Sequence, residues 1–93
     1  MSGNNILEKV KKIQGISHNE FDDTINGWID AAKLDLKSVG IVDTLVDNPD
    51  ELVSAAIISC VLSFLDVANS EMYGNSYLYQ NDALRHTKEY IEV

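Results

Sequence analysis

The chain has 93 residues, 45% of them hydrophobic, and a formal charge of −8 from 15 acidic against 7 basic groups, which describes one short domain, residues 1–93, with a small core. A chain this short buries only about 60 to 65% of the surface its unfolded form exposes, so modest stability and a shared subunit interface are both expected. The net negative field repels phosphate backbones and anionic lipid, which excludes nucleic-acid binding by charge neutralisation, and a single cysteine, Cys60, excludes an intrachain disulfide.

The first helix is expected over residues 5–14, with Ile6, Val10 and Ile13 on one side and Gly15 ending it. Before it there is no apolar core of signal-peptide length, so synthesis in the cytoplasm is expected. Lys9, Lys11 and Lys12 gather in this helix, whereas Asp43, Asp47, Asp50 and Glu51 gather around the middle connection. That polarity either orients subunits head to tail or reflects a solvated helix and a dipole-favoured helix start.

Residues 17–41 read as one helix with both ends specified. Ser17 and Glu20 have capping-box spacing, and Ile16 and Phe21 are placed for a hydrophobic staple. Phe21, Ile25, Trp28, Ile29, Ala32, Leu36 and Val39 fall within an arc of roughly 100°, the width of a core-facing stripe. Gly40 offers a left-handed cap, with Leu36 and Ile41 placed for the contact of a Schellman ending. Asn26-Gly27 elsewhere marks a tight turn, but the periodicity on both sides favours an unbroken helix despite a cost of about 1 kcal/mol for its glycine. Gly27 lies off the stripe, either to admit a neighbouring backbone in a subunit contact or as a tolerated exposed position.

Residues 41–47 read as a packed loop or one short turn. Asn48, Pro49, Asp50 and Glu51 then announce a third helix, with Asn48 as cap and Pro49 at the first helical position. Its body, residues 52–68, is apolar on most sides, as in the centre of a bundle or at a shared interface. It falls short of the roughly 20 apolar residues of a membrane span. Ser59, Ser63, Asp66 and Ser70 fall within roughly 60° of arc, a polar seam that is either the solvent side or a small-residue contact between subunits. Residues 71–80, with Tyr73, Tyr77 and Tyr79, read as a loop that either forms a contact surface or closes the bundle's edge. A last helix is expected over residues 81–92, with Leu84, Thr87 or Lys88, and Ile91 inward and the pairs Arg85–Glu89 and Lys88–Glu92 on its surface. The fold class is therefore all-α: a compact bundle of about four helices around a long apolar one.

Chemistry-bearing patterns are sparse. His18 and His86 do not form a spaced ligand pair, and a zinc site with Cys60 would draw on three separate helices. Residues 43–51 lack the alternating oxygen ligands and central glycine of a calcium loop. Asp22 and Asp23 point about 100° apart on a helix and suit its first turn better than paired acid and base work. Cys60, inside an apolar run, reads as core or interface filling. No phosphate loop or nucleophile elbow is present, so no enzymatic activity, catalytic residue, metal or cofactor is expected.

One pattern is familiar. The run Asp22-Asp23-x-Ile25-x-x-Trp28-Ile29-x-Ala31-Ala32-Lys33-x-x-Leu36, then Gly40-Ile41, then Leu52 through Ala55-Ala56-Ile57-Ile58 to Val61, resembles the small head-tail connector (adaptor or head-completion) proteins of tailed bacteriophages and prophages. The resemblance covers roughly residues 5–68. It implies a structural protein of the virion neck, made in the bacterial host cytoplasm, that assembles in about a dozen copies into a ring. Such a ring lies below the portal protein, offers a docking surface to the tail or head-closure protein, and extends a channel that DNA passes without specific binding. It implies subunit contacts from the third helix and its seam, Ser59, Ser63, Asp66 and Ser70, with Gly27. Tyr73, Tyr77, Tyr79, Arg85 and Lys88 are the matching candidates for portal or tail contact, and no membrane is involved. A second reading, a small acidic regulatory protein that binds another protein, would want carboxylates in a continuous surface band, whereas many here fall in helix first turns.

Overall fold

The computed structural model describes residues 2–87, 90 and 91, with side chains from Ile6 onward. Among these are five α-helices and one 3₁₀ turn: α1 (Ser2–Gln14), α2 (Asp22–Ser38), α3 (Asp43–Asp47), α4 (Glu51–Leu65), the turn Val67–Asn69, and α5 (Ser70–Arg85). The all-α expectation holds. Helix α4 is central, packing against α1, α2 and α5, and its Val53, Ile57 and Val61 join Ile6, Val10, Ile25, Ile29 and Leu36 in one buried cluster. Short connections and amphipathic faces produce this arrangement, since each helix has one stripe to bury and α4 has almost no polar face.

Two helix ends are set by glycine. At the end of α1, Gly15 has φ +68, and the amides of Ile16 and Gly15 donate to the carbonyls of Lys11 (2.8 Å) and Lys12 (3.3 Å). At the end of α2, Gly40 has φ +96, and the amides of Ile41 and Gly40 donate to Leu36 and Lys37, both at 3.1 Å. These are the paired bonds of a Schellman motif, and an L side chain in that conformation costs about 1–2 kcal/mol.

The expected start of the second helix is corrected. Residues 17–21 are bends and turns rather than helix, and α2 begins at Asp22 with Phe21 as N-cap and no side-chain cap. Ser17 and Glu20 form no capping box. The Glu20 amide instead donates to His18 Nδ1 (3.3 Å), and Phe21 is exposed rather than stapled. Lys11 supplies the physical reason. Its ammonium, on a residue only 7% exposed, pairs with Asp22 at 2.9 Å and donates to Asn19 Oδ1 at 2.8 Å. A charge so far removed from water must keep its partners, and holding Asn19 and Asp22 there displaces the capping box. The rest of the helix follows expectation: Asn26-Gly27 is unbroken helix, and Ile25, Ile29, Ala32 and Leu36 are buried.

The start of α4 moves by two residues. Asn48 ends α3, Pro49 precedes the helix, and Asp50 is the N-cap, its Oδ1 accepting the Val53 amide at 2.9 Å. Proline disfavours the helical region in the residue before it, so Asn48 sits at φ −127, ψ 73 and closes one helix rather than opening the next. The far end also differs from expectation. Helix α4 stops at Leu65, and Asp66 turns the chain by accepting the Asn69 amide at 3.2 Å. The following segment departs by 112°, so among the described residues no single helix is long and apolar enough to cross a membrane.

The expected loop over residues 71–80 is helix. Tyr73, Tyr77, Asn81 and Leu84 recur at helical spacing, with Tyr77, Asn81 and Leu84 buried and Tyr73 half-buried. Gly74, Asn75 and Ser76 are poor helix formers, and packing against α4 overrides that weakness. The last helix accordingly ends at Arg85 rather than near residue 92. The chain then returns to the segment before α3: the Val42 amide donates to the Tyr90 carbonyl at 2.7 Å, and Ile41 and Ile91 form an antiparallel bridge. The expected pairs involving Lys88, Glu89 and Glu92 lie outside the described residues.

Candidate functional site

An open groove of about 570 Å³ runs between α2, α4 and α5. Helix α2 brings Ala31 and Asp35 to it, four residues apart on one face, and α4 brings Cys60, Ser63 and Phe64. Helix α5 completes it with Glu71, Gly74 and Leu78. Phe64 and Leu78 are 53% and 66% exposed, and Phe64 stacks on Trp28 with ring centres 6.1 Å apart. A Cβ added at Gly74 would meet Ser63 Cβ at 4.0 Å, so the close side of the groove is a contact of small residues within the chain.

Beneath this surface the Tyr77 hydroxyl donates to the Asp35 carboxylate and receives the Asn81 side-chain amide at 3.3 Å. Burial, and then its bond to the Asp35 carboxylate, push the Tyr77 hydroxyl above the usual phenol range. Burial, with the Asp35 charge nearby, pushes the Cys60 thiol up to about 11. A thiol held neutral in that way is a poor nucleophile and a good apolar filler. What the groove offers is apolar contact bordered by carboxylates.

The expected contact residues are dispersed. Asp66 leaves the line of α4 at the helix end, so Ser59, Ser63, Asp66 and Ser70 do not form one stripe. Ser59 is buried, Ser63 lines the groove with its hydroxyl donating to the Cys60 carbonyl at 2.6 Å, and Ser70 is the half-buried first residue of α5. Asp66 binds Asn69 and accepts the Gln14 side-chain amide at 3.1 Å; these bonds, Asn69 first, hold its carboxyl below the usual carboxylate range. Gly27 is exposed, with open space where a Cβ would stand. Tyr77 is buried in the groove wall and Tyr73 is half-buried, while Tyr79 is 78% exposed beside Met72 and Ser76. Arg85 is exposed at the end of α5, and Lys88 lies outside the described residues. Sequence reasoning missed Asp35, Phe64, Glu71 and Leu78. The spacing Glu71, Asn75, Leu78 is a helical face that the expectation of a loop concealed.

The comparisons with known proteins are decisive on one point: a family model described as phage connector protein matches residues 6–93. The chain belongs to the phage connector protein family. This match runs through α5 and the returning C-terminal segment, beyond the residues that carry the resemblance seen in the sequence. No curated protein and no solved structure matches the chain. The family is a structural one, and a connector protein needs surfaces that hold neighbours. The groove and the exposed apolar residues around it are the features of this connector protein that fit such work.

Proposed function

We propose that this connector protein is a subunit of a homo-oligomeric ring of about a dozen copies in the virion neck, below the portal. The ring joins the DNA-filled head to the tail or head-closure protein and continues the channel through which DNA passes. The observation that carries this reading is the family match over residues 6–93. Two physical features support it. The net charge of −8 suits a wall along which DNA slides without adhering. Leu34, Phe64, Leu78 and Tyr79 are large, apolar or aromatic and exposed, more contact surface than a short solitary chain needs. Among the residues expected at contacts, Gly27, Tyr79 and Arg85 are exposed, Ser63, Asp66, Ser70 and Tyr73 are half-buried, and Ser59 and Tyr77 are buried.

The test is mass in solution by light scattering over a concentration series, for the protein alone and with its cognate portal. A species near twelve subunits, or recruitment that depends on portal, is the expected result. A monomer or dimer indifferent to portal overturns the reading and favours a small acidic regulator of another protein.

A further inference from the structure

The groove is apolar where Phe64 and Leu78 border it and negative where Asp35 and Glu71 do. Among the described residues no basic side chain lines it and Glu71 enters no ion pair. Its complement is an apolar side chain with cations beside it. The chain carries such a surface on α1, none of whose described side chains lines the groove. Ile13 is 53% exposed there, with Lys9 about 40° and Lys12 about 100° from it, both on the same side of the helix. Lys9 and Lys12 are exposed and unpaired among the described residues, whereas Lys11 is held by Asp22 and Lys37 by Asp47. Among other exposed apolar side chains, Phe21 lies beside Glu20 and Asp22 and Leu52 beside Glu51, while Leu34 stands between Lys33 and Asp35, with Lys37, three residues on, already held by Asp47.

We propose that this groove is the docking site for the Lys9–Lys12–Ile13 face of α1 from a second copy of the chain. Ile13 enters between Phe64 and Leu78, and the two lysines meet the carboxylates of Asp35 and Glu71. The proposal rests on the assembly reading above and names the contact that builds it. Patch and groove are different surfaces of one chain, so the contact is heterologous: each copy gives α1 to one neighbour and receives α1 from another, a pattern that propagates and closes when the rotation permits.

The test uses full-length protein in a Cys60→Ala background, with Ile13→Cys in one preparation and Leu78→Cys in another. Oxidation of the mixture is expected to give a disulfide between residues 13 and 78 of different copies, identified by mass spectrometry of the linked peptides. In parallel, Lys12→Glu and Glu71→Lys are each expected to weaken association by about tenfold or more, and mixing or combining them to restore it. Circular dichroism confirms that each variant is folded. Association with no 13–78 disulfide and no effect of either charge reversal overturns the groove contact and leaves the ring standing. Absence of association under all conditions, portal included, overturns both.

Discussion

Asp50→Ala is the substitution that most sharply tests how the two ends of this fold are joined. Its carboxylate makes two bonds with different oxygens: Oδ1 accepts the Val53 amide at 2.9 Å, capping α4, and Oδ2 accepts the Tyr90 hydroxyl at 2.6 Å. Loss of an N-cap costs about 1 kcal/mol. The bond from Tyr90 is charge-assisted, but Asp50 is exposed and water competes for it, so about 1 kcal/mol is the reasonable magnitude. Asp50→Ala should therefore destabilise by about 2 kcal/mol and Tyr90→Phe by about 1, while the double variant should cost about 2 rather than about 3, because the shared bond can be lost only once. Urea unfolding followed by far-UV circular dichroism reads this directly. With a slope of about 1 kcal/mol/M for a small chain, the midpoints fall by about 2, 1 and 2 M. Asp50→Asn, which retains a capping oxygen, should fall between wild type and Asp50→Ala. Equal costs for Asp50→Ala and Tyr90→Phe would remove the cap from the account, and additive single costs would show that Asp50 and Tyr90 do not act together.

Two further outcomes follow from the same geometry. Gly40→Ala, at φ +96, should lower stability by about 1–2 kcal/mol, whereas Gly27→Ala, whose Cβ meets nothing, should raise it by about 0.5–1 kcal/mol in the free subunit; thermal melts with both changes of the same sign would refute the contrast. Asp66, held below the usual carboxylate range by Asn69 and Gln14, contributes stability that is present above its unfolded value of about 4 and is lost as pH falls through its lower folded value. Asp66→Asn should remove that portion of the acid-induced loss, and superimposable acid limbs for the two proteins would show that these bonds do not couple to folding.

The elements legible in the sequence were those in which a local signal and the tertiary demand agreed. Gly15 and Gly40 end their helices because the left-handed backbone conformation there disfavours a side chain, which is a purely local fact. The stripe from Ile25 to Leu36 was legible because an apolar face and a buried face coincide. The capping box at Ser17 failed because Lys11, on the preceding helix, claims Asn19 and Asp22. Helix α5 failed because propensity reads Gly74, Asn75 and Ser76 one at a time, while the core selects on Tyr77, Asn81 and Leu84 together. The family resemblance was visible in α2 and α4, and the groove was not, since one of its walls is α5.

That one misreading also changes where an interface should be sought. A loop over residues 71–80 would leave α4 short of cover and its apolar surface open to a partner. With α5 in place, α4 has α1, α2 and α5 packed against it, and Val53, Ile57, Val61 and Leu62 are buried within the chain. The demand for cover moves outward to Phe64, Leu78 and Ile13, residues that the subunit leaves in water. Burial then separates two kinds of variant. Truncating a side chain such as Ile57 opens a cavity and costs about 2–5 kcal/mol of folding stability whether or not the protein assembles. Replacing Leu78 or Ile13 with a polar residue removes exposed apolar area and leaves the subunit's own core untouched, so it is expected to weaken the proposed association while the unfolding midpoint of the free subunit stays where it was.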